Sequence, residues 1–170
     1  MTSFDVLMNA QDELDAIVID VLGSILGEEA APAHGELPDG QVAQARLAIH
    51  DEGDDSFALV EVRLGIALAR VLAGRMMYVA DPDDEDVLDA VAELGNICGG
   101  NVKSLLCQHA RLSLPTADIG SGLPPTTGAD VQVRAVVLGH VVELAVTPGA
   151  PIDGLDWPPA AEDEELERQT

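Results

Sequence analysis

Basic residues are scarce in this chain. Its 170 residues contain 8 Lys+Arg against 31 Asp+Glu, which gives a formal net charge of -23. Lys103 is the single lysine, and no basic run is present. Proteins bind nucleic-acid backbones mainly through lysine and arginine contacts to phosphates. The composition therefore excludes a general nucleic-acid binder, and we expect no nucleic acid among the partners.

Aromatic residues and long apolar runs are also few. Aromatic residues make up 2% of the chain and apolar residues 47%, so the core must be mostly aliphatic and a disordered chain is excluded. The two longest apolar segments, 16–26 and 65–74, are each interrupted by a charged residue and are shorter than the ~20 residues of a membrane span. No basic, then apolar, signal follows Met1. We therefore expect a cytoplasmic protein without a membrane partner.

Cysteine and histidine show no metal-binding pattern. Cys98 and Cys107 lie in one helical stretch, which indicates reduced, core-packed thiols and favours neither a disulfide framework nor a zinc site. The four histidines are dispersed without ligand spacing. The sequence also lacks a nucleophile elbow and a glycine-rich phosphate loop. We expect no bound metal and no cofactor of the chain's own.

Hydrophobic periodicity predicts an α+β fold. Apolar residues at three-to-four spacing predict three helices, which are one ending at Gly27, one over 65–79 and one from about Asp83 to Leu106. Four segments with alternating apolar residues predict strands, namely 43–49, 60–64, 131–138 and 141–147. The short run 112–114 before Pro115 brings the strands after the third helix to about three. Two hairpins separated by helices favour a mostly antiparallel sheet packed with long helices over alternating βα units.

The predicted elements indicate a single domain followed by a tail. Every predicted helix and strand lies within residues 1–150, a length that can bury a substantial core. Residues 162–167 contain 5 acidic residues and no apolar periodicity. We expect residues 151–170 to form a proline-containing, flexible acidic tail.

The third predicted helix has a polar stripe opposite its apolar side. Five residues at spacings of four, three, four and three share this face, namely Asp89, Glu93, Asn96, Gly100 and Lys103. Gly99 and Gly100 are unusual there, because each glycine weakens a helix by roughly 1 kcal/mol relative to alanine. The pair indicates either a kink or close backbone packing, or else a bare patch where a partner approaches.

The stripe resembles the active helix of the CheC/CheX/FliY family of chemotaxis phosphatases. The family pattern is Asp or Ser, three residues, Glu, two residues and Asn, with a proline further on. Asp89, Glu93 and Asn96 match this pattern, and Pro115 is the candidate proline. The resemblance covers about residues 5–148 and implies a CheX/CheC-like fold.

One copy of the motif is present. The other asparagines, Asn9 and Asn101, have valine and cysteine three positions earlier in place of glutamate. The chain is therefore most similar to the single-site CheX type. Because single-site members pair into dimers, the resemblance also implies a homodimer.

The resemblance implies that the protein hydrolyses the aspartyl-phosphate of a CheY-like receiver domain in chemotaxis or two-component signalling. Asn96 would orient the attacking water and Glu93 would pair with the receiver's active-site lysine, so these two are the candidate catalytic residues. Supporting positions would be Asp89, Gly99, Gly100 and Pro115. The receiver would supply Mg²⁺. A neutral amide suits the task, because it donates to and accepts from water without adding negative charge beside a phosphoryl group.

Other interpretations of the same residues remain. A non-catalytic CheX-like adaptor could bind a receiver domain or another signalling protein, and an acidic interaction domain could be unrelated to phosphorylation. A solvated helix face without any partner would also carry this pattern. The presence of both Glu93 and Asn96 favours the phosphatase, because an adaptor has no reason to keep both.

Overall fold

The computed structural model of the chain describes residues 2–7, 9–106, 109–121, 129, 131–149 and 153–158. Cys107 lies outside the described residues, as do residues 151–152 and 159–170 of the predicted tail. Within the described residues, no helix is long and apolar enough to cross a membrane.

The described part of the chain forms helices packed on an antiparallel sheet. The helices are α1 Ser3–Leu7, α2 Gln11–Leu26, α3 Ile66–Met77 and α4 Asp84–Ser104. The strands are β1 Ala30–Pro32, β2 Gln41–Asp51, β3 Ser56–Gly65, β4 Ala110–Leu112, β5 Thr116–Ser121, β6 Val131–Val137 and β7 His140–Gly149. The strand order is β1-β6-β7-β3-β2-β4, and β5 pairs with another part of β2. The predicted α+β class with a mostly antiparallel sheet is confirmed.

Helix and strand ends agree with the local sequence signals, with a few exceptions. Gly27 caps α2 in the left-handed conformation at φ 65°, as its position after the last apolar residue predicts. The first predicted helix is divided into α1 and α2, because Ala10 leaves the helical conformation at φ -103° and ψ 31°. Strands β1 and β5 were not predicted. Both are short edge strands, which are held by pairing with β6 and β2 and carry little alternating pattern of their own.

The hairpin of β2 and β3 forms the platform for the long helix α4. Alternate residues of β2 point to the helix-covered face and are fully buried, namely Ala43, Ala45, Leu47 and Ile49. The apolar side of α4 packs on them, and the largest of its buried residues include Val87, Val91 and Leu94. Opposite-pointing side chains of a strand lie on the other face of the sheet, so the platform has one apolar face and one polar face.

Cys98 belongs to the apolar side of α4. The residue is a free cysteine and 2% exposed, so the expectation of a core-packed, reduced thiol is confirmed for Cys98. Burial raises the pKa of this thiol to about 12. The sulfur is therefore protonated at neutral pH and is neither a nucleophile nor a metal ligand.

A charged network lies on the polar face of the sheet. Glu143 is 3% exposed and accepts from Arg63 at 3.3 Å and from Arg134 at 2.9 Å. Glu61, 1% exposed, accepts from Arg46 at 3.0 Å. Buried carboxylates require such partners because unpaired burial of a charge is costly. Arg46, Arg63 and Arg134 therefore form ion pairs on the sheet.

The acidic residues at the start of α4, Asp83, Asp84 and Asp86, have a structural role. The Asp83 side chain accepts from the backbone N–H of Asp86 at 3.0 Å, and the Asp86 side chain accepts from the backbone N–H of Asp83 at 3.0 Å. This reciprocal capping box satisfies two amides at the start of the helix. Arg70 of α3 bonds the Pro82 carbonyl and the Asp84 carboxylate, both at 2.8 Å. These contacts define where α4 begins.

Replacement of the capping residue tests this role. We expect Asp83→Ala to lower the free energy of unfolding by about 1 kcal/mol, because the Asp86 amide loses its acceptor. Urea denaturation followed by circular dichroism measures the change. Asp81→Ala is the matched control, since Asp81 is exposed and has no hydrogen bond within the described residues. Equal stability of the two variants would contradict the capping role.

Candidate functional site

The polar stripe of α4 faces away from the sheet. Asp89, Glu93 and Asn96 are exposed, and Gly100 is half-buried one turn beyond Asn96. Glu93 and Asn96 are three residues apart, which is about 4.5 Å along the helix axis. The structure thus brings Asp89, Glu93 and Asn96 together on one accessible face of a regular helix, which agrees with the spacing.

The side chains of this face are available to a partner. Within the described residues, Asp89, Glu93 and Asn96 form no side-chain hydrogen bond or ion pair. Asn101 differs from Asn96, because its Nδ2 donates to the carbonyl of Ile97 at 2.8 Å. Of the two asparagines on this helix, only Asn96 has an amide that is uncommitted within the described residues.

Two glycines let α4 lie close to the sheet. A Cβ atom at Gly95 would come within 2.7 Å of the Ala45 Cβ, and one at Gly99 would overlap the Leu47 side chain. Of the two alternatives for Gly99, close packing is therefore the correct one. Gly95 was missed by the sequence analysis, although its spacing of four from Gly99 places both glycines on one side of the helix.

Gly100 has the opposite environment. A Cβ at Gly100 would meet no heavy atom within 4 Å. The adjacent glycines of the motif therefore play different parts: Gly99 packs against β2, and Gly100 leaves the stripe bare beside Asn96. This bare position agrees with a surface that a partner could approach closely.

Pro115 lies at the junction of β4 and β5 and is half-buried. Both strands pair with β2 and contact α4. The neighbouring Leu114 is exposed, and its backbone N–H donates to the Asp156 carbonyl at 2.7 Å. No hydrogen bond in the described part of the chain links the Pro115 segment to Glu93 or Asn96.

Among the described residues, no group of three or more His, Cys, Asp and Glu side chains is arranged to hold a metal ion. The polar side chains that this face presents are the Asp89 and Glu93 carboxylates and the Asn96 amide. A carboxylate and an amide one helical turn apart can pair with a cation and hold a water molecule, respectively.

Comparison with known families finds one that is similar to this chain. The family model described as "Chemotaxis phosphatase CheX" matches residues 55–136, a range that contains the complete stripe and Pro115. The chain is similar to the CheX family over this range, which is just under half of its length. No curated protein matches its sequence significantly.

Solved CheX structures share the fold at low sequence identity. The CheX protein of Desulfovibrio desulfuricans is 15% identical, with a TM-score of 0.64 over 83% of this chain and 99% of that chain. CheX of Vibrio vulnificus is 16% identical, with a TM-score of 0.66 over 81% of this chain and 95% of that chain. A CheX–CheY–BeF3–Mg²⁺ complex from Borrelia burgdorferi matches at 16% identity and a TM-score of 0.60, over 82% and 98% of the two chains.

Alanine substitution separates the two glycines of the motif. We expect Gly99→Ala to lower the free energy of unfolding by about 1–3 kcal/mol, because the new methyl group overpacks the contact with Leu47. Gly100→Ala should raise it by up to about 1 kcal/mol, because the site is open and alanine favours the helix. Urea denaturation of both variants measures the difference. Equal effects would contradict the close approach of α4 to β2.

Proposed function

We propose that this chain is a CheX-type phosphatase that hydrolyses the aspartyl-phosphate of a CheY-like receiver domain. The observation that supports it most is that Glu93 and Asn96 lie together on the exposed face of a helix whose opposite side packs closely on the sheet. Neither side chain forms a hydrogen bond within the described residues. A solvated face needs no such rigid support. A face that must enter a partner's active site does.

The reaction needs a positioned water molecule. In hydrolysis of an aspartyl-phosphate, the water oxygen attacks phosphorus and the bond from phosphorus to the carboxylate oxygen breaks. The products are a free carboxylate and H₂PO₄⁻, which carries both hydrogens of the water. Phosphoryl transfer depends mainly on positioning and charge neutralisation. Asn96 would accept one hydrogen of the water through its Oδ1 and hold the water oxygen in line with the breaking bond.

Glu93 would orient the receiver. Its carboxylate lies one turn before Asn96 and is exposed, so a lysine of the receiver can reach it. A lysine–carboxylate pair made at this point would set the register of the helix against the phosphoryl group. Asp89, one further turn back, is a supporting position. The receiver contributes its own Mg²⁺ to neutralise the phosphoryl oxygens, and we propose no cofactor held by this chain.

The open stripe also has a steric role in this proposal. In this proposal the Asn96 amide must come within hydrogen-bond distance of a water molecule at the receiver's phosphoryl group, so the helix must present little bulk beside that amide. Gly100 adds no side chain one turn beyond Asn96, and a Cβ there would meet nothing in this chain. Gly99 and Gly95 keep α4 seated on the sheet while the stripe engages the partner.

Two asparagines on one helix allow a matched test of catalysis. We expect Asn96→Ala to reduce the acceleration of receiver dephosphorylation by roughly 10²-fold or more, because the water loses its positioning group. Asn101→Ala should keep kcat near the wild-type value at saturating receiver, because the Asn101 amide donates to the Ile97 carbonyl and is not available to hold the water. Phosphate release from CheY-like receivers charged with acetyl phosphate measures both rates.

The rates also decide between the phosphatase and the adaptor. A wild-type protein that binds a receiver but leaves its decay unchanged would support the adaptor. Equal acceleration by the wild type and Asn96→Ala would contradict the catalytic role of the amide. Circular dichroism confirms that each variant is folded before its rate is interpreted.

We also propose a homodimer. Strands β1 and β5 are edge strands of the sheet within the described residues, and an edge strand presents unpaired backbone groups to a second copy. Light scattering during size exclusion should give a mass of twice the 17.7 kDa chain. A mass of one chain over a hundredfold range of concentration would contradict the dimer.

A further inference from the structure

A groove lies beside the proposed catalytic stripe, between α2 and α4. It has a volume of about 390 Å³ and is lined by Asp20, Val21, Ser24, Ile25, Ile97 and Asn101. Val21 is buried at 8% exposure, and Ile25 and Ile97 are half-buried along the floor. Asp20, Ser24 and Asn101 are exposed along the rim.

The groove is continuous with the stripe. Ile97 directly follows Asn96 on α4, and it lies one turn beyond Glu93. Residues four apart are neighbours on a helix surface, so a partner that contacts Glu93 also reaches the groove edge at Ile97. A stable interface covers about 800 Å² on each partner, which is much more than one stripe of three side chains offers. The contact must therefore extend beyond the stripe.

The groove has the composition that is typical of protein interfaces. Interfaces combine an apolar centre with a polar rim, and the three aliphatic side chains and three polar residues of the groove have this arrangement. Asn101 keeps its place on the rim through its bond to the Ile97 carbonyl, so the floor is not closed by its side chain. The exposed Asp20 adds a negative charge on the α2 side.

We infer that this groove binds the receiver surface next to the phosphorylated aspartate, and that it accepts an apolar side chain flanked by a basic residue. The inference rests on the proposed function, and it adds a specificity surface separate from Glu93 and Asn96. The apolar side chain packs on Ile25 and Ile97, and the basic residue lies beside Asp20. The groove sets the affinity for the receiver, whereas the stripe sets the rate of the chemical step.

A bulky residue in the groove tests this division. The probe is a CheY-like receiver held in its active form by BeF₃⁻ and Mg²⁺, which measures binding without hydrolysis. We expect Ser24→Trp to raise the Kd for this receiver at least tenfold. In the dephosphorylation assay, KM should rise by a similar factor while kcat stays within twofold. Asn96→Ala should show the reverse pattern, with kcat lost and Kd nearly unchanged.

Matched variants control for the added bulk and charge. Ala16→Trp places the same side chain at an exposed position two turns earlier on α2, and it should bind like the wild type. Asp20→Arg is a second, independent variant and should also weaken binding. Its control is Asp12→Arg, since Asp12 is exposed at the start of α2. Thermal unfolding by circular dichroism shows that each variant is folded.

The outcomes separate the two proposals. If Ser24→Trp and Asp20→Arg bind like the wild type while Asn96→Ala loses kcat, the groove proposal is wrong and the phosphatase proposal stands. If the wild type binds the receiver without accelerating its decay and Ser24→Trp abolishes binding, the groove stands and the phosphatase fails. A Ser24→Trp protein with half the wild-type mass would show that a second copy occupies the groove, which overturns the inference. A wild type that binds no receiver overturns both proposals.

Discussion

The packing of α4 on β2 is the contact on which the proposed site depends. Gly95 and Gly99 let the helix backbone approach Ala45 and Leu47 more closely than any residue with a Cβ would allow. Because protein interiors are close-packed, a helix seated this way resists rotation about its own axis. The side of α4 that bears Gly95 and Gly99 therefore faces the sheet, and Asn96 lies on the exposed side of the helix. The glycines act on the site through position and make no contact with a substrate.

Some of the charged side chains in this molecule form contacts that stabilise the fold, whereas other acidic side chains lie exposed on the surface. Asp83 and Asp86 cap α4, and Asp84 pairs with Arg70 at 2.8 Å. On the other side of the sheet, buried Glu61 and Glu143 pair with arginines. The few cations are thus largely committed within the fold, so the remaining acidic surface can attract the cationic face of a partner. Asp89 and Glu93 belong to this exposed acidic surface.

Local patterns predicted most of the fold. The α+β class, the end of α2 at Gly27 and the hairpin of β2 and β3 all follow from periodicity and turn residues. The break at Ala10 and the strands β1 and β5 do not. Those features depend on partners elsewhere in the sheet, and three or six residues of mixed composition carry no periodic signal of their own. The roles of the adjacent Gly99 and Gly100 were equally undecidable without knowing which atoms face each glycine.

The sequence by itself determined the composition of the candidate site and its place on one helix face. Spacings of four and three put Asp89, Glu93 and Asn96 together, because an α-helix turns once in 3.6 residues. Tertiary structure alone decided how close α4 lies to the sheet and which helix lies beside its stripe. The groove joins Ser24 to Ile97, residues that are far apart in the chain. Such contacts arise when separate elements bury their apolar sides together, and no local pattern encodes them.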